Sequence, residues 1–248
     1  MTRKRATIIH LALSTALAFL VICLMALVWY PPPLFEVLGG YGLLLLIAGV
    51  DIVLGPLLTC IVFKQNQKLF LLDISIIAAC QIAALGYGLY TIAEVRPVYI
   101  VFVKDRFELV RAFEPTEKNY AAARPEHRSP PWTGPKLVGI NFPESNAETM
   151  EIMESAMQGG PDFHLLPKYY AAFEDSKAAV MAKARPLETL KKFNAKEDHK
   201  RIDQIPQSLG IAPDEIGFLP FRAVREDLSV LVNSKTGDVL KVVKLLPW

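Results

Sequence analysis

The sequence predicts a membrane protein with three N-terminal transmembrane α-helices followed by an α+β soluble domain, divided into 1–94 and 95–248. Two observations carry this. Hydrophobic residues make up 52% of the 248, and the apolar surplus is confined to the first third of the chain. Conversely, 22 of the 27 Lys and Arg and 21 of the 25 Asp and Glu fall in 95–248. Only Arg3, Lys4, Arg5, Lys64 and Lys68, with Glu36, Asp51, Asp73 and Glu94, precede it. That tail is nearly neutral, which argues against nucleic acid as a partner, since phosphate binding wants a basic face.

The first apolar run, Ala6 to Tyr30, follows Arg3-Lys4-Arg5. It is too long for a secretory signal, and Val28-Trp29-Tyr30-Pro31-Pro32-Pro33 offers no small-residue cleavage site, so it reads as a retained anchor. Trp29 and Tyr30 suit an interfacial aromatic belt, and the prolines end the helix. The short loop 34–40 carries Glu36 and no Lys or Arg.

A second run, Tyr41–Phe63, contains Asp51 near its middle. A carboxylate there costs roughly 2.5–3.5 kcal/mol on insertion scales, so it must face the bundle interior, find a partner or be held protonated. Five positions on, Pro56 has no N–H to give the Ile52 carbonyl and Gly55 lets the backbone bend, so this span is expected to kink. A third run spans Phe70 to Ile92, after Lys64-Gln65-Asn66-Gln67-Lys68. Basic residues mark the N-terminus and the second loop. The positive-inside rule therefore places the N-terminus in the cytoplasm and everything beyond Glu94 on the far side, the periplasm of a bacterium.

This topology lets depths be compared. Asp51 and Gln81 each lie about 11 or 12 residues above the cytoplasmic end of their spans, at one level, and His10 and Asp73 each enter within about the first turn. Gln81 is thus the expected partner of Asp51, and Asp73 that of His10. Small residues spaced by four, at Ala12/Ala16, Ser14/Ala18 and Ala84/Gly88, allow close helix approach. Three readings of Asp51 stay open: polar packing of the three helices, a proton, ion or substrate path, or contact with another membrane protein's helix. Packing is favoured over a path, because three spans are few for a pump and no second mid-membrane carboxylate completes a relay.

The tail opens with Arg96-Pro97 and a hairpin, Val98–Val103 with Arg106–Phe113, then a proline-rich surface loop, 115–135, with Trp132. Lys136–Ile140 reads as a short strand. Ser145 and Glu148 have capping-box spacing for a helix running to Gln158, stopped by Gly159-Gly160-Pro161. A helix over Glu174–Ala184 breaks at Pro186 and resumes to Phe193, and the charged stretch 194–203 reads as an exposed loop. Three strands close the chain: Gly217–Val224, Asp227–Val232 and Asp238–Leu245.

No catalytic signature is present: no GxSxG, P-loop, Rossmann fingerprint or HExxH. Cys23, Cys60 and Cys80 all lie in apolar runs and no CxxC occurs, so neither disulfides nor structural zinc are expected in the tail. His127, His164 and His199 read as surface histidines.

Taken together, Tyr30-Pro-Pro-Pro-Leu-Phe, Gly39-Gly40, Val50-Asp51-Ile-Val-Leu-Gly55-Pro56-Leu-Leu-Thr59, Lys68-Leu-Phe-Leu-Leu-Asp73, Gln81, Tyr87-Gly88 and Glu94-Val-Arg96-Pro97 resemble the N-terminal half of the TfpX/TfpZ type IV pilin accessory proteins. Thr236-Gly237-Asp-Val-Leu and Pro247-Trp248 fit the same family, while 115–206 carries no matching motif. The resemblance implies a multi-pass protein of the bacterial inner membrane that assists assembly or surface display of a cognate type IV pilin by binding it. It implies no catalytic residue, cofactor or metal. The residues it marks for packing or partner contact are Asp51, Gly55, Pro56, Asp73 and Gln81. The competing expectation is a membrane-bound enzyme that modifies pilin or another envelope substrate.

Overall fold

The computed structural model describes residues 3–62 and 70–248. The basic loop 64–68 lies outside them. The chain divides into two compact units, Met1–Pro31 with Gly39–Arg96, and Pro32–Leu38 with Pro97–Trp248.

In the first unit, helix α1 (Arg3–Leu24) ends in a π-helical turn, Met25–Trp29, whose last bond runs from the Tyr30 N–H to the Met25 carbonyl at 2.8 Å. Pro31 follows and cannot continue it. A four-residue helix, α2 (Leu34–Val37), belongs to the second unit. The predicted second span is helical but broken into α3 (Gly40–Ala48), a π-helical segment at Gly49–Leu54 and α4 (Gly55–Val62). The wide turn falls where Pro56 withholds its N–H and its ring crowds the carbonyl four residues back, so i→i+5 bonding relieves the crowding. The third run forms α5 (Phe70–Val95). The expectation of three spans is corrected to two: among the described residues only Lys4–Trp29 and Ser75–Val95 are long and apolar enough to cross a membrane, while Ile52–Ile61 is a shorter apolar helix.

The second unit is built on one mixed sheet. Its elements are β1 (Pro97–Val103), β2 (Arg106–Arg111), α6 (Glu117–Ala121), β3 (Lys136–Ile140), α7 (Asn146–Met157), β4 (Tyr170–Ala172), α8 (Lys177–Lys183), β5 (Arg185–Pro186), α9 (Lys196–Leu209), β6 (Ile216–Arg222), β7 (Asp227–Asn233) and β8 (Val239–Val243). The strand order is β4-β3-β1-β2-β6-β7-β8, with β5 paired to β6. The β1–β2 and β6–β7–β8 pairs are antiparallel, as the hairpin spacing predicts, whereas β1–β3 and β2–β6 are parallel.

Both faces of this sheet are apolar, which explains the near-continuous Val and Phe runs of β1, β6 and β7. Phe102, Phe107, Leu109, Leu219, Phe221, Leu228 and Val230 form one face, covered by Phe173, Val180 and, from α2, Leu34 and Val37 at 2% exposure each. The opposite face carries two clusters. Tyr99, Val101 and Val110 lie under Tyr120 and Phe163, while Phe218 and Leu231 lie under Leu190, Ile202 and Ile205.

The Ser145 cap is present, with its Oγ accepting the Glu148 N–H at 3.4 Å, and Gly159 at φ +89° ends α7 as the sequence predicts. The reading of 194–203 as a loop is corrected: it is the first half of α9, whose Ile202 and Ile205 enter the core. Gly210, at φ +66°, ends that helix.

Leu34→Ala is expected to destabilise the second unit by about 2–5 kcal/mol, the range for truncating a buried Leu. Denaturation followed by tryptophan fluorescence measures it, and an unchanged midpoint would show that α2 is no part of that core.

Candidate functional site

Of the sequence-marked residues, Gly55, Pro56 and Gln81 lie where the broken second helix packs against both α1 and α5. Gly55, the first residue after the π-helical segment, is buried, as is Pro56. A Cβ built at Gly55 would stand 2.6 Å from Gln81 Cδ, so the Gln81 amide occupies the space that the glycine leaves open. One turn further, Thr59 is buried and its Oγ1 lies 2.6 Å from His10 Nδ1. Thus α4 is tied to α5 through Gly55 and Gln81, and to α1 through Thr59 and His10.

The depth comparison set Gln81 against Asp51 and His10 against Asp73. The structure brings Gln81 to Gly55, four residues after Asp51, and brings His10 to Thr59. The side chains of Asp51 and Asp73 lie outside the described residues. Of the small-residue pairs, Ser14 and Ala18 are buried, on the face of α1 that also carries Ala6, Val21 and Met25. Ala12, Ala16 and Ala84 are exposed.

Where α1 and α5 end, Trp29 and Tyr30 are buried, the Tyr30 hydroxyl donates to the Ile92 carbonyl at 3.2 Å, and the Arg96 guanidinium lies 5.7 Å from the centre of the Trp29 ring. Arg96 also donates to the Ala93 carbonyl, placing a cation on the negative end of the α5 dipole. The aromatic pair and the Arg-Pro element therefore form one closure.

In the second unit the reading of surface histidines fails for His127, which is 8% exposed and packs edge-on against Tyr99 and Tyr170. Its Nδ1 lies 3.3 Å from the Tyr99 hydroxyl. Burial pushes His127 below its ordinary value near 6.5 and Tyr99 up to about 12. Enclosed by buried tyrosines, this imidazole is placed to fill the core and not to meet a substrate. His199 Nε2 lies 3.0 Å from the Lys191 carbonyl, and His164 Nδ1 lies 4.0 Å from Asp162. Among the described residues no three His, Cys, Asp or Glu side chains cluster as a metal site.

Comparison with known proteins places the chain. The sequence profile described as "Fimbrial assembly protein FimB" matches residues 1–39. The fimbrial assembly protein of Dichelobacter nodosus serogroup I is 30% identical over 240 residues, covering 96% of this chain and 93% of that protein. The chain belongs to the fimbrial assembly protein (FimB) family. A serogroup E1 member is 29% identical over the same length. A member from serogroups C1 and C2 is 38% identical over 104 residues, 41% of this chain and 79% of that protein. No solved structure matches the chain. In this FimB-family chain the profile match takes in α1, the prolines and α2, so it reaches Leu34 and Val37.

Gly55→Ala is expected to displace the Gln81 amide, so that Gln81→Ala adds little once Gly55→Ala is present. A double-mutant cycle on thermal stability in detergent should show coupling of about 0.5–3 kcal/mol, and strict additivity would refute the contact. The stability contribution that His127 makes by staying neutral is present in full above its ordinary value near 6.5, because its folded value is depressed. It is lost as pH falls below 6.5 towards the folded value. His127→Phe should flatten that part of the stability–pH curve, and an unchanged slope would assign it to other groups.

Proposed function

We propose that this chain is an inner-membrane accessory factor, akin to the TfpX/TfpZ proteins, that binds a type IV fimbrial subunit and promotes its assembly or surface display without chemistry of its own. The observation that carries the reading is the similarity along 96% of the chain to a protein named for fimbrial assembly. An anchoring role for the helices is supported by their outward apolar side chains: Leu27 is 82% exposed, and Leu13, Leu20 and Ile82 are also uncovered, a pattern suited to lipid and costly in water. The seam of Gly55, Gln81, Thr59 and His10 is the kind of small-and-polar contact that holds helices together in lipid, where hydrophobicity gives no driving force between them. In this reading Asp51, four residues before Gly55 in sequence, contacts a partner's helix. In this reading α3, the π-helical segment and α4 cross the membrane together, so the basic residues at the N-terminus and in the second loop support a cytoplasmic N-terminus and a periplasmic sheet unit.

The test is a deletion strain complemented by the chain carrying a periplasm-active reporter after Trp248. Deletion should reduce surface fimbriae while subunit is still present in the membrane, and the complementing fusion should restore them with an active reporter. Asp51→Asn should complement better than Asp51→Leu, since Asn keeps hydrogen-bonding capacity. A silent reporter on a functional fusion would overturn the orientation. Normal fimbriation in the deletion, with loss of a chemical modification on the subunit, would replace assembly by enzymatic modification.

A further inference from the structure

Arg201, Gln204, Ile205 and Ser208 stand at i, i+3, i+4 and i+7 of α9 and so share one side of that helix. With the end of β8 and with Pro32 and Pro33, that side lines a groove of about 310 Å³ within the second unit. The lining mixes apolar Ile205, Leu209, Leu231 and Val242 with three cations, Arg201, Lys241 and Lys244.

Among the described residues no carboxylate lines this groove. In a stretch, 95–248, with 22 Lys and Arg against 21 Asp and Glu, a lining of one sign is a local arrangement and not the background of the unit. Asp203, on the same helix, is taken up by Lys191 at 2.5 Å. Lys244 is held by Glu36 at 2.8 Å and Glu226 at 3.1 Å, and its hydrogen bond keeps Glu36 below the ordinary carboxylate value, with Arg201 a lesser cause. Arg201 and Lys241, both exposed, have no ion-pair partner among the described residues. One Arg201 nitrogen donates to the Lys244 carbonyl at 3.3 Å, which ties the guanidinium beside the groove. A guanidinium has five N–H groups, so donors remain for an anion.

The course of the chain limits where this groove can be. The apolar helix Lys4–Trp29 is long enough to cross a membrane, and Pro32, which lines the groove, comes three residues after its end. Three residues reach at most about 10 Å, and the headgroup layer on each side of a bilayer is about 5–8 Å thick. Outward apolar surface continues almost to that end, since Leu27 is 82% exposed. If α1 spans the bilayer, Pro32 and the cations that line the groove with it are within reach of the headgroups.

We propose that this groove takes the headgroup of an anionic phospholipid, with the phosphate on Arg201 and Lys241 and the roots of the acyl chains on the apolar lining. Gln204 adds a neutral amide for headgroup hydroxyls or ester oxygens. A free phosphate would use the cations alone and leave Ile205, Leu209 and Val242 unmatched. The inference rests on the anchoring reading and gives the bilayer a specific contact with the sheet unit, in which basic side chains near the surface are drawn to anionic lipid.

The experiment titrates the full chain, in neutral detergent micelles, with phosphatidylglycerol or with phosphatidylcholine of the same acyl chains, at low and high salt, and counts bound lipid by native mass spectrometry. The wild type should hold phosphatidylglycerol roughly tenfold or more tightly than phosphatidylcholine at low salt, and the preference should shrink at high salt. Arg201→Gln and Lys241→Gln should each weaken phosphatidylglycerol binding about fivefold, with phosphatidylcholine binding and the lipid-free unfolding midpoint unchanged. Lys200→Gln removes an exposed cation from the same helix outside the groove and should change neither lipid's binding. An equal loss in Lys200→Gln would mean unspecific attraction to a basic surface and overturn the groove, as would displacement of phosphatidylglycerol by millimolar inorganic phosphate. If Arg201→Gln and Lys241→Gln keep lipid binding but lose retention of the fimbrial subunit, the occupant is an acidic segment of that protein and the proposal fails. Alkaline carbonate extraction of membranes reads the anchoring itself. A chain that resists extraction yet shows no lipid preference refutes the groove alone, whereas a chain released by carbonate removes the anchoring reading and the groove with it.

Discussion

A sheet that is apolar on both faces must be covered on both, and this constraint dictates the rest of the second unit. Tyr99, Val101 and Val110 need Phe163 and Tyr120, Phe218 and Leu231 need α9, and the face bearing Phe107 and Phe221 needs Phe173, Val180, Leu34 and Val37. The cover comes from short helices and turns scattered through the chain and not from one long helix, so the connections between strands are themselves the second layer. His127 belongs to that layer, which is why a titratable ring is found among tyrosines.

The first unit obeys a different rule. Its helices meet through Gly55, Ser14 and Ala18, where the side chain is small enough to let backbones approach, and through the paired polar atoms of His10 and Thr59. Gly55 and Thr59, one turn apart in α4, share a side of that helix, and there Gly55 meets Gln81 and Thr59 meets His10.

Local structure is legible in the sequence. β-branched and aromatic runs at hairpin spacing mark the hairpins, Ser145 and Gly159 mark both ends of α7, and Gly55-Pro56 marks the break in the second helix. What failed was long-range or masked by charge. The first half of α9 is almost wholly polar and reads as a loop, although Ile202, Ile205 and Leu209 at i, i+3 and i+7 carry its buried stripe. The parallel pairings Tyr99↔Lys136 and Phe107↔Phe221 join distant segments and leave no local mark. Depth matching pairs Gln81 with Asp51, whose side chain lies outside the described residues, while the contact the structure describes for Gln81 is with Gly55. The neighbouring prolines make His127 read as surface loop, while its burial comes from Tyr99 and Tyr170, far away in sequence.

The insertion of Leu34 and Val37 into the sheet core has a consequence for the order of events during synthesis. These two side chains leave the ribosome before any strand they cover exists, and Leu219, Phe221, Leu228 and Val230, among which they end, are made long after them. That face of the core cannot close until Val230 has been made, so the early segment must wait uncovered while the helices that flank it in sequence are being placed. A fragment beginning at Pro97 would fold, if at all, around a gap where those two residues belong, and its exposed face would make it prone to aggregate.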